Sequence, residues 1–191
     1  DNDALVTQSG SYNDVMIDQS GEGNDATVTQ ATGGFDSRND VDIYQGGDAN
    51  VALVSQANTW RDSRNDVYID QSGHRNNATV TQDDYANDAN IVQGGDDSVA
   101  TVYQTGAGQD ANINQSGALN VSDIMQSASL NLADIDQSGE YNFSDIDQTG
   151  TSNQAFIIQS GTGMLGSLNS AIISQSASMD YALITQTGGA G

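Results

Sequence analysis

Residues 19–30 read Gln-Ser-Gly-Glu-Gly-Asn-Asp-Ala-Thr-Val-Thr-Gln, and variants of this stretch recur along most of the chain. The closing glutamine returns in sixteen units, usually 11 residues after the previous one, with three longer steps of 15, 15 and 16 residues. A fixed repeat predicts an architecture in which each unit buries its apolar face by stacking on neighbouring units.

Three positions before each glutamine follow a strict alternation. The residue two before it is always Val or Ile, the residue four before it is small or Val, and the residue six before it is Asn in thirteen units. The other three units have Ser98, Gln109 and Asp180 there. A period of two is typical of a β-strand that turns alternate side chains to one face. We therefore expect these positions to line the interior.

The interior set divides into two amide ladders and an apolar core. The predicted glutamine ladder comprises Gln8, Gln19, Gln30, Gln45, Gln56, Gln71, Gln82, Gln93, Gln104, Gln115, Gln126, Gln137, Gln148, Gln159, Gln175 and Gln186. After Asn2 in the first unit, the predicted asparagine ladder comprises Asn13, Asn24, Asn39, Asn50, Asn65, Asn76, Asn87, Asn120, Asn131, Asn142, Asn153 and Asn169. The predicted core comprises Val6, Ile17, Val28, Ile43, Val54, Ile69, Val80, Ile91, Val102, Ile113, Ile124, Ile135, Ile146, Ile157, Ile173 and Ile184.

Buried amides must be hydrogen-bonded, and stacking the same amide in every layer provides the partners. The oxygen of each side chain would accept from one neighbour while its nitrogen donates to the next, as in cross-β stacks. Gly stands two residues after most of the glutamines and predicts a tight turn there. No stretch has the three-to-four spacing of an amphipathic helix.

These observations predict an all-β fold. Two units make one 22-residue strand-turn-strand coil, so the sixteen units predict a β-solenoid of about eight coils with two parallel, in-register, amyloid-like sheets. At strand spacing such a rod would be roughly 38 Å long. We expect a single domain spanning residues 1–191, with insertions near 31–39, 57–65 and 160–169.

The insertions supply most of the irregular sequence. The first two should leave the same edge of the solenoid, and they form either a partner-facing patch anchored by Trp60 or a local cluster of Arg and Asp side chains. The third, around Met164, Leu165 and Leu168, lies on the opposite edge and is apolar, as contact surfaces often are. Apolar residues also become frequent at outward positions toward the C-terminus, which fits either lateral bundling or plain β-propensity.

Composition excludes several classes of function. The net charge is -22, with Arg38, Arg61, Arg64 and Arg75 as the only Lys or Arg residues, which excludes nucleic acid as a partner. The absence of Cys excludes disulfides, and no apolar run is long enough to insert into a membrane. Outward carboxylates should repel one another and respond to salt, and bridging by divalent cations stays open.

We expect no catalytic, cofactor-binding or metal-binding residues. The only histidine, His74, falls in a predicted turn, and there is no Lys or Cys to act as a nucleophile. The turn Gly46-Gly47-Asp48 lacks the third glycine of calcium-binding solenoid repeats. The chain is therefore not expected to be an enzyme.

The recurring pattern Gln-x-Gly-x-x-Asn-x-Ala-x-x-x-Gln resembles the curlin repeat, the unit of the bacterial amyloid curli, from about Asn2 to Gln186. The resemblance implies a secreted subunit of extracellular fibres on the cell surface, which serve biofilm matrix, adhesion and surface colonisation. It also implies a nucleator and an outer-membrane secretion machinery as partners, and we favour a major over a minor subunit. Asn replaces the Ser that commonly opens one curlin half-repeat, and no targeting segment precedes the first unit, as expected if a secretion signal has been removed.

The first and last units read as ordinary repeats, so both ends of the solenoid should be open to pairing. Head-to-tail addition would continue both sheets through a contact that does not close, giving a homopolymeric filament. The predicted polymer interface comprises Ala4, Val6, Gln8, Ile17, Gln19, Ile173, Gln175, Ala182, Ile184 and Gln186. The alternatives are a soluble, monomeric β-solenoid adhesin or an ice-binding protein, the latter suggested by Thr27-Val28-Thr29 and Thr79-Val80-Thr81.

Overall fold

The computed structural model describes residues 1–32, 38–58, 64–161 and 169–188, and these residues form sixteen β-strands. The odd-numbered strands are β1 (Asp3–Ser9), β3 (Asp25–Thr32), β5 (Val51–Asn58), β7 (Asn77–Tyr85), β9 (Val99–Ala107), β11 (Val121–Ser129), β13 (Asn142–Gln148) and β15 (Asn169–Gln175). The even-numbered strands are β2 (Asp14–Gln19), β4 (Asp40–Gln45), β6 (Asp66–Gln71), β8 (Asp88–Gln93), β10 (Asp110–Gln115), β12 (Leu132–Gln137), β14 (Gln154–Gln159) and β16 (Tyr181–Gln186).

The odd strands form one eight-stranded sheet and the even strands form the other, each in chain order. All strand pairs are parallel and in register, so that Val28 lies beside Val6 and Val54, and Ile43 lies beside Ile17 and Ile69. One odd strand and the even strand after it make one coil, β1 and β2 being the first coil and β15 and β16 the eighth. The predicted all-β solenoid is confirmed. Nowhere in the described part of the chain does a helix reach the length and apolar character needed to cross a bilayer.

The core is a thin layer between the two sheets. In β6, Val67, Ile69 and Gln71 are buried while Asp66 and Tyr68 face outward, and the same alternation runs through the central strands. A slip of one residue would exchange the two faces, so the burial of each Ile or Val and each amide fixes the register of the stack.

The turns lie along two edges of the solenoid. We call the turns that follow even strands the glycine edge and the turns that follow odd strands the mixed edge. On the glycine edge a Cβ added to Gly47 would lie 1.9 Å from the carbonyl oxygen of Gly73, and one added to Gly73 would lie 1.8 Å from that of Gly95. The predicted role of these turn glycines was conformational freedom, and Gly21 and Gly139 do have positive φ, of 90° and 123°, but Gly47 and Gly73 do not. They are required because successive turns stack closer than a Cβ allows.

A left-handed conformation recurs at another position of the turns, the residue just before the inward Asn or its replacement. Ala49, Arg75, Asp97 and Leu119 have φ values of 57°, 56°, 55° and 58°. Their backbone N–H groups donate to carbonyl groups one coil earlier, as from Leu119 to Asp96 at 2.9 Å. Sequence reasoning missed this feature because ordinary residues occupy a conformation that usually favours glycine.

The predicted contents of the insertions lie outside the described residues. This applies to Phe35, Trp60, Met164, Leu165 and Leu168. The flanking residues Arg38 and Arg64 are described, and both are exposed.

Candidate functional site

The inward glutamines form two continuous side-chain ladders, one in each sheet. Nε2 of each glutamine donates to Oε1 of the glutamine one coil later, over distances of 2.6 to 3.0 Å. The first ladder runs from Gln8 to Gln175 and the second from Gln19 to Gln186. Every bond points the same way along the axis, so each ladder has a donor end and an acceptor end.

The glutamines also tie the two sheets together. Nε2 of Gln104 donates to Oε1 of Gln126 at 3.0 Å and to the backbone carbonyl of Asp88, in the other sheet, at 2.8 Å. Where Ser122 replaces the usual small apolar residue, its hydroxyl donates to Oε1 of Gln137 at 2.8 Å. Because an NH₂ group has two hydrogens, one serves the ladder and the other serves the opposite strand.

The asparagines do not form the amide-to-amide ladder that the sequence predicted. The backbone N–H of Asn76 donates to Oδ1 of Asn50 at 2.9 Å, and Nδ2 of Asn76 donates to the carbonyl of Gly95 at 2.6 Å. The side chain is short and sits at the turn, so its amide satisfies backbone groups instead of reaching another amide. Asn142 and Asn169 are exceptions. Nδ2 of Asn142 donates to Oδ1 of Asn120, one coil earlier, at 3.1 Å, and Nδ2 of Asn169 donates to Oδ1 of Asn142 at 2.9 Å.

The replacements at the asparagine position keep part of its bonding. Ser98 accepts the N–H of Asn120 at 3.3 Å and donates to Gly117 at 3.3 Å. Gln109 keeps two donor bonds, to Thr105 and Ala128, but its Oε1 is buried without a partner among the described residues.

The first coil leaves its inward residues open. Ala4, Val6 and Gln8 in β1 are exposed, and Ile17 and Gln19 in β2 are half-buried. Val6 was predicted in the core but is 42% exposed, because β1 is an edge strand. These side chains are of the same types as the buried core residues of the inner coils, but no further coil covers them.

The eighth coil is covered unequally. Ala182, Ile184 and Gln186 in β16 are half-buried, whereas Ile173 and Gln175 in β15 are only 5% exposed. β16 accounts for that cover, since Nε2 of Gln186 reaches across to the carbonyl of Ser170 at 2.8 Å. The predicted interface residues therefore form two groups at opposite ends of the rod.

The comparison with protein families agrees with this geometry. The family model described as "Curlin associated repeat" matches residues 1–31, 110–139 and 131–161. Residues 1–31 and 110–161 therefore carry curlin-associated repeats. No curated protein matches it at a significant level. Curlin repeats on a β-solenoid point to a structural subunit of the curli type rather than to an enzyme.

The outer face of the even sheet carries a column of carboxylates across the first five coils. Asp14, Asp40, Asp66, Asp88 and Asp110 are adjacent in register. Burial raises the pKa of the last four, and neighbouring carboxylates raise the pKa of Asp40, Asp66 and Asp88 further. The column ends where Leu132 follows Asp110.

The outer face of the odd sheet contains threonine and apolar residues, with two stacked aspartates near its end. Thr27 and Thr79 are separated in register by Leu53, which interrupts a threonine surface. Burial and mutual repulsion raise the pKa of Asp123, and burial raises that of its neighbour Asp145, with Asp147 adding to it.

The turns of the glycine edge contain the one histidine of the chain and an ion pair. His74 Nδ1 accepts the backbone N–H of Asp48 at 3.1 Å, which gives it a turn-stacking role. Arg75 makes two 2.6 Å bonds to Asp97 one coil later, lowering the pKa of that exposed carboxyl. Among the described residues no group of three or more metal-ligating side chains is found.

Proposed function

We propose that this protein is the structural subunit of an extracellular, curli-like amyloid fibre that grows by head-to-tail stacking. One observation supports the proposal most strongly: both sheets end in edge strands, and the inward residues of both end coils follow the same pattern of a small residue or Val, then Val or Ile, then Gln. β1 and β2 form one end, and β15 and β16 form the other. Stacking a second copy would bury apolar side chains that the single chain leaves partly exposed.

The register within the chain defines the proposed junction. Continuing it places Ile173 beside Val6 and Gln175 beside Gln8 of the next copy. In the even sheet it places Ile184 beside Ile17. Each pair repeats a pair already found inside the solenoid, such as Ile146 with Ile173.

The similarity to curlin-associated repeats supports a proposal for the cellular role. We propose a secreted protein that serves biofilm matrix, adhesion and surface colonisation, with a nucleator and an outer-membrane secretion apparatus as partners. We favour the major subunit, and we propose that residues 1–191 fold as one domain. The alternative is a soluble monomeric adhesin or ice-binding solenoid.

Electron microscopy of the purified chain, with and without added salt, tests the proposal. We expect long unbranched filaments, formed faster with salt because screening weakens repulsion between carboxylates. Persistent single rods of about 40 Å, the length of eight stacked coils, would contradict it and favour the soluble alternative.

A proline variant tests the junction itself. In β14 the N–H of Gln154 donates to the carbonyl of Asp180 in the last coil at 2.8 Å, and alternate residues repeat this pattern. By the same alternation the N–H of Leu183 faces the open edge. Leu183→Pro should leave the single chain folded, because proline is tolerated in an edge strand whose N–H faces solvent, but should stop elongation. Leu183→Val keeps the N–H and should elongate.

A further inference from the structure

The two ends of the solenoid differ strongly in charge. Residues 1–23, the first coil with its turns, contain Asp1, Asp3, Asp14, Asp18 and Glu22. Residues 169–188, the eighth coil, contain one acidic residue, Asp180, in the inward asparagine position. Neither segment contains Lys or Arg.

We propose, building on the fibre function above, that the end surfaces select one orientation of the incoming copy: the weakly acidic eighth coil receives the strongly acidic first coil. The partner is a second copy of this chain. Like ends are rejected, because two first coils would bring their carboxylates together and carry no compensating cation.

The outward pairs at this junction follow from the register of the coils. Tyr181 would lie beside Asp14 and Leu183 beside Met16, while Thr185 would lie beside Asp18. In the odd sheet Ser170 would lie beside Asp3. No carboxylate meets another at these positions, whereas inside the chain Asp14 lies beside Asp40 and Asp3 beside Asp25.

The ladders impose the same orientation. Nε2 of Gln175 and of Gln186 each makes one bond to a backbone carbonyl, at 3.1 and 2.8 Å, leaving a second hydrogen for the next layer. None of the described residues donates to Oε1 of Gln8 or Gln19. The eighth coil thus offers amide donors and the first coil offers amide acceptors.

The asparagine column has the opposite direction and fits the same junction. Asn24 donates its backbone N–H to Oδ1 of Asn2, and Asp180 donates its own to Oδ1 of Asn153. At the eighth coil, the last acceptors of the two columns are the Asn169 side-chain amide oxygen and the Asp180 carboxylate. They would receive the N–H groups of Asn2 and Asn13 from the next copy. Head-to-tail stacking therefore continues the glutamine ladders and the asparagine columns with a donor facing an acceptor at each of these positions.

Two variants, each blocked at one end, test the orientation. Val6→Asp places a charge on the exposed strand β1, where only a junction would bury it, and Leu183→Pro blocks the eighth coil. Ile184→Asp is a second variant for that coil. Each is measured alone and in an equimolar mixture by sedimentation, at concentrations where the unaltered chain forms fibres and with circular dichroism to verify the fold.

We expect each variant alone to be a monomer and the mixture to give a species of twice the monomer mass. Dimers of either single variant would overturn the orientation while leaving self-association intact. A mixture that stays monomeric while the unaltered chain forms fibres would overturn it too. Failure of the unaltered chain to assemble would instead reject the proposed function.

A charge placed at the junction tests the electrostatic part. Tyr181→Asp would put a carboxylate beside Asp14 of the next copy and should slow elongation about threefold relative to Tyr181→Asn, the size of one exposed charge pair. Gln154→Asp adds the same charge one coil inside and should elongate like Tyr181→Asn. Asp14→Asn should restore the rate of Tyr181→Asp. Equal slowing by Tyr181→Asp and Gln154→Asp would overturn the selection by charge.

Discussion

The glycine edge and the mixed edge close the same strands but follow different rules. On the glycine edge every turn has Gly two residues after the ladder glutamine: Gly21, Gly47, Gly73, Gly95, Gly117, Gly139, Gly161 and Gly188. On the mixed edge the same position is Gly10, Thr32, Asn58, Asp84, Gly106, Ala128, Gly150 and Ala177. A repeat therefore has one edge with a steric requirement and one that accepts variation.

The difference arises from how the chain leaves each sheet. At the mixed edge β7, β9 and β11 continue for nine residues each, so Asp84, Gly106 and Ala128 stay in register beyond the glutamine. Asp84 and Ala128 both have φ of 75°, so this turn forms with a side chain at that position even though a positive φ disfavours one. At the glycine edge the strands end at the glutamine and the turns stack on each other's carbonyl groups.

The largest expected effect comes from adding one methyl group at equivalent positions of the two edges. Gly73→Ala puts Cβ 1.8 Å from the carbonyl oxygen of Gly95 on an edge where no turn has a side chain at this position, and should cost about 3 kcal/mol of unfolding free energy. Gly106→Ala would meet the carbonyl of Ala128 at 1.7 Å, but its turn can take the conformation of its neighbours Asp84 and Ala128. We expect it to cost about 1 kcal/mol.

Denaturant unfolding of soluble chain, kept monomeric by Leu183→Pro in both variants, measures the two losses. Circular dichroism should show the same strand content for Gly106→Ala as for the parent. Equal losses at both edges would mean that the close stacking of the glycine edge imposes no special requirement.

The next effect concerns the inward asparagines. Asn76 at the glycine edge accepts the N–H of Ser98 and donates to the carbonyl of Gly95, so Asn76→Ala leaves a buried N–H and a partly buried carbonyl unpaired and should cost about 2 kcal/mol. Asn76→Ser should cost about half as much. At the equivalent position on the same edge, the hydroxyl of Ser98 both accepts a backbone N–H and donates to a backbone carbonyl, so a serine can replace part of the asparagine's bonding.

The reciprocal exchange is informative at the mixed edge, where Gln109 stands naturally. Asn87→Gln should keep the donor bonds and lose the acceptor, as Gln109 does, and we expect a loss below that of Asn87→Ala. Thermal unfolding of the four variants measures the order. If Ser and Ala are equally costly at position 76, the side chain acts only by filling space.

The sequence predicted the fold well because its signal is repeated in every unit. The alternation of inward residues, as in Asn65, Val67, Ile69 and Gln71, indicates where a strand lies, which of its side chains point inward and how it aligns with the strands of neighbouring coils. Parallel in-register stacking followed because only identical neighbours satisfy a buried glutamine in every layer. The interior placement of the amides was therefore a prediction with a physical cause.

The turn chemistry could not be read in the same way. A Gly such as Gly47 is equally consistent with positive φ and with close stacking, and only coordinates distinguish the two. Asn50 and Gln56 carry the same amide group, but a difference of one methylene decides whether it reaches another amide or the backbone. The left-handed residues, such as Leu119, have no compositional signal at all.

The smallest expected effect is a dependence on pH that originates at the mixed edge, where the first residues of the even strands stack their carboxylates. The pKa values of Asp40, Asp66, Asp88 and Asp110 are raised above 3.8 in the folded chain, so the folded state binds protons more tightly than the unfolded state. Stability should therefore rise as pH falls from neutral through the raised pKa values toward 3.8, and level off below it.

The melting temperature of monomeric chain at about pH 4 should exceed that at about pH 7. Replacing Asp66 and Asp88 together by Asn should weaken this dependence, because it removes two carboxyls whose pKa is raised by burial and by neighbouring carboxylates. The Arg75–Asp97 pair acts in the opposite sense. Because Arg75 lowers the pKa of Asp97, the stability that this pair contributes is lost as the pH falls through that lowered pKa. A melting temperature that falls between pH 7 and pH 4 would show that pairs of this second kind, and not the carboxylate column, dominate the response to acid.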